Sequence, residues 1–321
     1  MMNRQRRSAS LRLAAATAIA AIASIGLSVA ACSSAPKGAK PVYAKRDQAA
    51  QYEKQGDSVF AAGNYPDAMS FYRQALETNI SIDNDEGVIV SRNAIGKTYA
   101  AAGDEKDARE EFETALAAAR RLSLRVLEAQ SLAFLAELDL AAGRSDAAMA
   151  GLLSARAQAG GDEATGAVID HDLGIAYKQK GDFPKALELL ERAAAVNLRL
   201  QRKAEYASNQ YLIASVRLKT GDPARARQAA MAALETDKEI ENSLSIATDY
   251  YALGRISLAE SKDEDAYACF QKALQVELIL NMADESIKSL DELIPLAKKI
   301  GKADDAKDYQ AMRDKIVSLK K

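Results

Sequence analysis

The sequence is poor in the residues from which many active sites are built. Its 321 residues include no tryptophan, two cysteines and a single histidine, His171. One histidine excludes a His-rich metal site and makes any Ser-His-Asp arrangement depend on that residue alone. Asp170 and Asp172 flank it, but neighbouring residues of a helix point in different directions, which disfavours a triad there. No Gly-rich phosphate loop, HExxH pattern or nucleophile elbow is present. We therefore predict a protein that is not an enzyme and that has no metal and no dissociable cofactor.

The charge and the cysteine content of the chain limit its possible partners and its possible disulfide bonds. The chain has 43 basic and 45 acidic residues, and the segment 1–31 contains four arginines and no acid. Without that segment the net charge is −6, which argues against a nucleic-acid partner because such a partner requires a basic face. If Cys32 is lipidated, as discussed below, then Cys269 is the lone thiol and no internal disulfide can form. We expect Cys269 to pack in the interior beside Phe270.

What the sequence does contain is one pattern that recurs about every 40 residues, a period in the range of stacked repeat architectures. One column of it is glycine with a single serine: Gly63, Gly103, Gly143, Gly181, Gly221, Ser261 and Gly301. Five residues after each member stands an alanine, and seven residues before it stands a small residue in six of the seven copies: Gly56, Gly96, Ala136, Gly174, Ala214 and Gly254. Such a period indicates supersecondary units that cannot bury their apolar faces alone. Small residues allow two helices to approach closely, so each unit is predicted to be an antiparallel helix pair.

The pattern resembles the tetratricopeptide repeat. The segments Leu173-Gly174-Ile175-Ala176-Tyr177 and Gly181-Asp182-Phe183-Pro184 carry the Leu-Gly-x-x-Tyr and Gly-Asp-Tyr/Phe elements of that family. The resemblance covers about residues 49–320 and implies an all-α fold, a right-handed α-solenoid of about seven helix pairs. The period exceeds that of the usual repeat, and both the proline that ends the usual repeat and the family's first-helix tryptophan are absent. We therefore expect longer second helices, and a polar last unit that caps the array.

The amino terminus has the layout of a secretory signal. Four arginines precede an apolar run over residues 13–31, and the run ends in Leu27-Ser28-Val29-Ala30-Ala31-Cys32. This ending resembles the bacterial lipoprotein box, in which the cysteine receives a diacylglycerol and acyl chains and the signal is removed. The predicted organisation is a signal peptide at 1–31, a lipidated Cys32 with a flexible tether at 32–46, and a repeat domain at 47–321. An uncleaved anchor or an ordinary signal peptide remains the alternative. Ser33 after the cysteine resembles outer-membrane sorting, so we expect localisation in the cell envelope, at the periplasmic face of the outer membrane.

The expected function is protein binding on the concave surface, which in this family is built from the first helix of each repeat. Aromatic residues with a few polar neighbours are suited to anchoring a peptide. The predicted partner-binding groove consists of Phe60, Asn93, Phe134, His171, Tyr211, Tyr251 and Arg255. The other interpretation is that these side chains pack between repeats. The partner would be a protein or peptide of the envelope, and the protein would act as a scaffold or assembly factor. Two other classes stay open: a cytoplasmic or secreted repeat regulator without an anchor, and an envelope enzyme using His171, Asp172 and Glu137.

Overall fold

A computed structural model describes residues 41–319, and the lipidation site predicted at Cys32 lies outside these residues. Within them the chain forms fourteen α-helices and no β-strand. In chain order the helices are α1 (Pro41–Ala61), α2 (Tyr65–Ser81), α3 (Asp85–Ala101), α4 (Glu105–Arg121), α5 (Arg125–Ala141), α6 (Ser145–Ala159), α7 (Glu163–Lys180), α8 (Phe183–Arg199), α9 (Lys203–Lys219), α10 (Pro223–Glu239), α11 (Ser243–Ala259), α12 (Asp263–Ile279), α13 (Ala283–Lys299) and α14 (Ala303–Leu319). The most extensive packing joins α1 to α2, α3 to α4 and so on as far as α11 and α12, and α13 packs on α14, which confirms the predicted series of helix pairs.

The small residues of the first helices make room for large residues of the second helices. A Cβ atom placed on Gly96 would lie 2.5 Å from Phe112, and one placed on Gly254 would lie 2.6 Å from Phe270. Both phenylalanines are fully buried. The alanine five residues after each member of the glycine column is also buried in all seven repeats. The sequence columns therefore correspond to the contact surface inside each helix pair, where backbones approach closely and aromatic rings fill the remaining volume.

The glycine column ends each first helix. Gly103 has φ +85°, a left-handed conformation that glycine adopts without steric cost. At Ser261, where the column departs from glycine, the same turn has φ +59°. An Asn or Asp side chain then accepts a hydrogen bond from the third residue of the following helix in several turns, for example Asp182 from the backbone N–H of Lys185. The helix stop and restart predicted at this column is thus confirmed.

The length of the units is set by long helices of nearly constant size that are joined by short turns. All the second helices except α6 have the same length, and α6 is shorter because it ends before Gly160. This accounts for the one shorter interval in the glycine column, between Gly143 and Gly181. At the other end of the array, α1 begins at Pro41, six residues before the predicted start of the repeat domain. Lys45 and Arg46 near its start donate hydrogen bonds to Ser81 and Asn84 at the α2–α3 turn.

Candidate functional site: an inner groove of the first helices

The first helices of consecutive repeats contact one another along most of the array, with α5 and α7 in the most extensive contact. Contacts of the same kind join α1 to α3, α3 to α5, α7 to α9 and α9 to α11, whereas the second helices form no comparable row among the described residues. Elements that touch their own counterparts in the next repeat lie on the inner side of a curved array. The surface on which a partner was predicted to bind is therefore the one that α1, α3, α5, α7, α9 and α11 form together.

One cavity stands out on this surface, and we call it the central groove. It has a volume of about 720 Å³ and lies between α3, α5, α7 and the start of α9, a size within the range of ligand sites. Its apolar wall includes Ala133, Phe134, Leu140, Val168 and Ile175. Its polar wall includes Lys97, Gln130, Glu137, His171, Asp172, Asn197, Arg202 and Glu205. Of the seven residues predicted to bind a partner, Phe134 and His171 line this groove.

Phe134 has the features of an anchoring side chain. Its ring is half-buried and stacks on Phe112 with the two centroids 5.3 Å apart. The Lys97 ammonium lies 5.6 Å from the Phe134 centroid and at the same distance from the ring of Phe60. A cation over an aromatic face is attracted by the ring quadrupole. Phe60 therefore extends the aromatic surface of the central groove towards α1, through the lysine that the two rings share.

His171 is held in one orientation and kept neutral. Its Nδ1 atom lies 2.8 Å from the side-chain nitrogen of Asn209 in the next first helix. Burial lowers the pKa of His171 to about 4. The neighbouring Asp170 points elsewhere and accepts hydrogen bonds of 2.5 and 2.7 Å from Arg192. His171 is thus bonded to an amide and not to a carboxylate, so its surroundings are not those of a catalytic triad.

Asn93, Tyr211 and Tyr251 lie on the predicted first helices, and contacts within the solenoid engage the side chains of Asn93 and Tyr251. Asn93 is buried and donates a hydrogen bond of 3.1 Å to Ser131 of the next first helix. Tyr251 packs edge-to-face on Phe270 with centroids 5.3 Å apart. Tyr211 is half-buried, and burial together with the charge of Asp249 raises its pKa.

Arg255 lies away from the central groove. It is exposed and forms a 2.9 Å ion pair with Glu292. Together with Leu218 and Leu258, this pair lines a shallower depression of about 480 Å³. The structure therefore places Phe134 and His171 in the central groove and Arg255 in a second depression, whereas Asn93 and Tyr251 make contacts within the solenoid.

Neighbouring repeats are also joined by a set of polar pairs that the sequence analysis did not detect. Each pair joins the end of a second helix to the next first helix, twelve residues further on. The hydrogen-bonded examples are Asn79 with Ser91 at 3.2 Å, Asn197 with Asn209 at 2.9 Å and Glu277 with Ser289 at 3.0 Å. We call these, together with Asp237 and Asp249, the junction pairs. Their signal in the sequence is a column twelve residues before the glycine column, which is Ser, Asn or Asp in five of the seven repeats: Ser91, Ser131, Asn209, Asp249 and Ser289.

The junction pair of Asp237 and Asp249 differs from the others because both members are acids. Both side chains are buried, and each has one carboxylate oxygen without a hydrogen-bond partner. Burial and the proximity of Asp237 raise the pKa of Asp249 to about 8. The interaction between the two carboxyl groups favours a state in which the pair holds one proton.

A second acidic pair, Glu137 and Asp172, lies in the central groove. Glu137 comes from α5 and Asp172 from α7, and they are the carboxylates that the enzyme alternative named together with His171. Burial raises the pKa of both groups, and the charge of Glu137 raises that of Asp172 further. The structure thus brings these two residues together, in a site that also contains the neutral His171. Among residues 41–319 there is no group of three or more Asp, Glu, His or Cys side chains placed to hold a metal ion.

Comparison with known families agrees with this architecture. Residues 47–121 match one family model described as tetratricopeptide repeat, and residues 171–204 match another with the same description. This protein contains tetratricopeptide repeats. The helix pairs outside the two matched segments follow one another in the same order, so the solenoid of helix pairs extends over the described residues. No curated protein sequence matches the chain significantly.

Several solved structures share the tetratricopeptide solenoid at low sequence identity. BtubC (BKLC) from P. vanneervenii is 19% identical with a TM-score of 0.59, over 66% of this chain and 90% of that one. The apo form of the quorum sensor NprR from B. thuringiensis is 14% identical with a TM-score of 0.63, over 85% and 77% of the two chains. The Rap conjugation gene regulator of the plasmid pLS20, in complex with the Phr* peptide, is 19% identical with a TM-score of 0.64, over 84% and 73%. At these identities the similarity is one of fold.

Within residues 41–319, none of the helices combines the length and the apolar character that a membrane span requires. Cys269, the thiol expected in the interior, is half-buried on α12 beside the core that includes Leu253 and Ile256. Burial raises its pKa, so the thiol form is favoured.

Proposed function

We propose that this protein is a lipid-anchored scaffold of the cell envelope that holds an extended segment of a partner protein in its central groove. The observation that carries the proposal is the groove itself, about 720 Å³ in volume, in which Phe134 offers an aromatic surface beside several charged groups. A groove of this composition suits a peptide, which contributes apolar side chains for burial and polar groups for orientation. The Rap regulator of pLS20, which shares the fold, has been solved with a peptide bound.

The anchor is proposed from the sequence. The signal layout and the lipoprotein box ending at Cys32 support removal of residues 1–31 and lipidation of that cysteine, with outer-membrane sorting. Two or three acyl chains together give stable membrane attachment, since each buried methylene contributes about 0.8 kcal/mol and a single chain binds only marginally. A scaffold attached in this way would present the central groove to proteins near the periplasmic face of the membrane.

Site-specific photo-crosslinking in cells tests the groove. A photoreactive amino acid at position 134 should crosslink one dominant envelope protein. The matched control position is 153, because Leu153 is exposed on α6, the second helix of the same repeat. Crosslinking of the same protein from both positions, or from neither, would contradict binding in the central groove.

Mass spectrometry of the mature protein tests the anchor. We expect an amino-terminal peptide that begins at an acylated Cys32, and we expect Cys32→Ser to leave the signal uncleaved and unlipidated. A mature chain that retains residues 1–31 without acyl groups in the wild type would contradict the proposed anchor and would favour the regulator without an anchor.

A further inference from the structure

The central groove contains two carboxyl groups, and one of them, Asp172, is among the four buried acids of the described residues that have a carboxylate oxygen without a hydrogen-bond partner. Asp172 is only 3% exposed, it lines the groove, and its Oδ2 atom has no hydrogen-bond partner. By contrast Asp170, equally buried two residues earlier in α7, is bonded to Arg192. Glu137 is half-buried across the groove and is attracted by Lys97 on α3. A buried carboxylate without a donor is destabilising, so a ligand that brings a positively charged donor would be bound favourably.

The charged groups around the pair do not neutralise it. Arg202 forms a 2.6 Å ion pair with Glu205 and also donates to Asn197 and to the carbonyl of Ala164. His171 is neutral and bonded to Asn209, as described above. Lys97 is the remaining cation of the groove wall, and its ammonium lies over the rings of Phe60 and Phe134. When both carboxyl groups of the acidic pair are ionised, the groove wall carries three carboxylates and two cations, and the pair faces open volume.

We propose that Glu137 and Asp172 receive a basic side chain, lysine or arginine, of the peptide segment that occupies the central groove. The inference rests on the proposed function and names the chemistry of the partner at one position. Phe134 and Ile175, on the same wall, would pack along the methylene stem, as such stems pack on apolar surfaces. The ammonium or guanidinium group would then bond to two acceptors on opposite helices. A bare metal ion fits less well, because the described residues offer no third ligand here.

Proton release should accompany this binding. Burial raises the pKa of Glu137 and of Asp172, so the empty pair holds a proton over part of the pH range in which the basic side chain is charged. A cation between the carboxyl groups favours their ionised forms and expels that proton. Affinity for a basic peptide should therefore increase with pH until the pair is ionised without ligand. The same groove is lined by four other titratable or charged groups: Lys97, His171, Arg202 and Glu205. These four groups are unchanged in Asp172→Asn and Glu137→Gln, so these variants test the acidic pair alone.

The probe is a peptide selected from a phage-displayed random library against the purified full-length protein. We expect the selected sequences to share a lysine or arginine at one position, and we expect replacement of that residue by norleucine to weaken binding at least tenfold. With Asp172→Asn or Glu137→Gln the basic and norleucine peptides should bind alike, a coupling that a double-mutant cycle measures directly. Glu191→Gln, an acid in α8 that lines a different depression, is the matched control and should change nothing.

Lys97→Met gives a test of opposite sign. Removal of the positive charge near Glu137 should make the basic peptide bind several-fold more tightly, whereas general damage to the groove would weaken binding. If Asp172→Asn reduces the helical circular dichroism, then Glu137→Gln, at a half-buried position, serves as the variant for the cycle.

The outcomes separate this inference from the proposed function. Selected peptides that crosslink at position 134 but show no preference for a basic residue, or that bind Asp172→Asn and wild type alike, would overturn the acidic pair as a subsite and leave the scaffold function standing. A failure to select any peptide would contradict both the acidic pair as a subsite and the scaffold function. A basic preference that disappears in both acid-to-amide variants would confirm the subsite.

Discussion

The acidic junction pair between α10 and α11 makes the stability of this region depend on pH. Asp249 is 1% exposed, and burial beside Asp237 raises its pKa to about 8. An unfolded aspartate has a pKa near 3.9, so the folded state holds a proton that the unfolded state has lost. A raised folded-state pKa means that stability is highest below the unfolded pKa and decreases as the pH rises towards about 8. Tyr211 and Asn242 also face the pair, and neither removes the repulsion.

The size of the effect follows from the length of that pH window. Each pH unit between the unfolded and the folded pKa lowers the free energy of unfolding by about 1.4 kcal/mol. A rise from pH 6 to the folded pKa of about 8 therefore lowers it by about 2–3 kcal/mol, and a further rise to pH 9 changes it little. Asp249→Asn removes the ionisation. The stability advantage of this variant over the wild type should therefore be larger at pH 9 than at pH 6 by about that amount.

The chain contains its own reference for this experiment. The junction one repeat earlier is formed by Asn197 and Asn209, which are hydrogen-bonded at 2.9 Å without charge. The double variant Asp237→Asn/Asp249→Asn copies that junction and should remove the local dependence on pH. Glu113→Gln, a change of an exposed acid on α4, is the control for loss of charge elsewhere.

Urea unfolding at pH 6 and pH 9 gives the total effect, and amide hydrogen exchange locates it. At pH 9 the amides of α10 and α11 should exchange more slowly in the double variant than in the wild type, while those of α3 and α4 should not change. A wild type that unfolds at the same urea concentration at both pH values, or a variant stabilised equally at both, would refute the shared-proton description of Asp237 and Asp249.

Further predictions concern packing. Gly254→Ala should destabilise the protein by about 1–3 kcal/mol, because its Cβ atom would lie 2.6 Å from the buried ring of Phe270. Gly166→Ala, also within a helix but with open space around the new atom, should instead stabilise by up to about 1 kcal/mol, and equal urea midpoints for the two variants would contradict the packing. Tyr251→Ala should lower stability by about 2 kcal/mol, because the ring packs on Phe270 and its hydroxyl bonds to Glu292 at 3.4 Å. If that variant keeps the thermal stability of the wild type, Tyr251 does not contribute to packing and the prediction that it binds a partner would be favoured.

Much of the fold could be predicted from the sequence because it depends on local spacing. Glycine is favoured where a helix must end in a left-handed turn, and Gly103 and Gly181 do so. A small residue at a fixed distance before that turn faces a large one on the second helix, as Gly96 faces Phe112. Both relations fall within a single repeat, so a period in the sequence is sufficient to reveal them.

The candidate site could be predicted only in part. The first helices do form a contiguous row, and Phe134 and His171 line the central groove. Asn93 and His171, however, both belong to the predicted partner-binding groove and have different environments. Asn93 is buried against Ser131, while His171 has one face in the groove and bonds to Asn209. A position that recurs in each repeat of the sequence does not reveal how far one repeat is rotated against the next. That rotation decides which side chains remain accessible.

The sequence by itself determined that this protein is a solenoid of helix pairs with a row of first helices, because glycine turns and small-residue contacts are properties of each repeat alone. Only the tertiary structure decided which polar groups meet across repeats. Glu137 and Asp172 come from different repeats, and the helix between them, α6, is shorter than the other second helices. Whether two such side chains share one groove depends on the shift and rotation between neighbouring units. Packing between repeats sets these quantities, and the period of the sequence does not contain them.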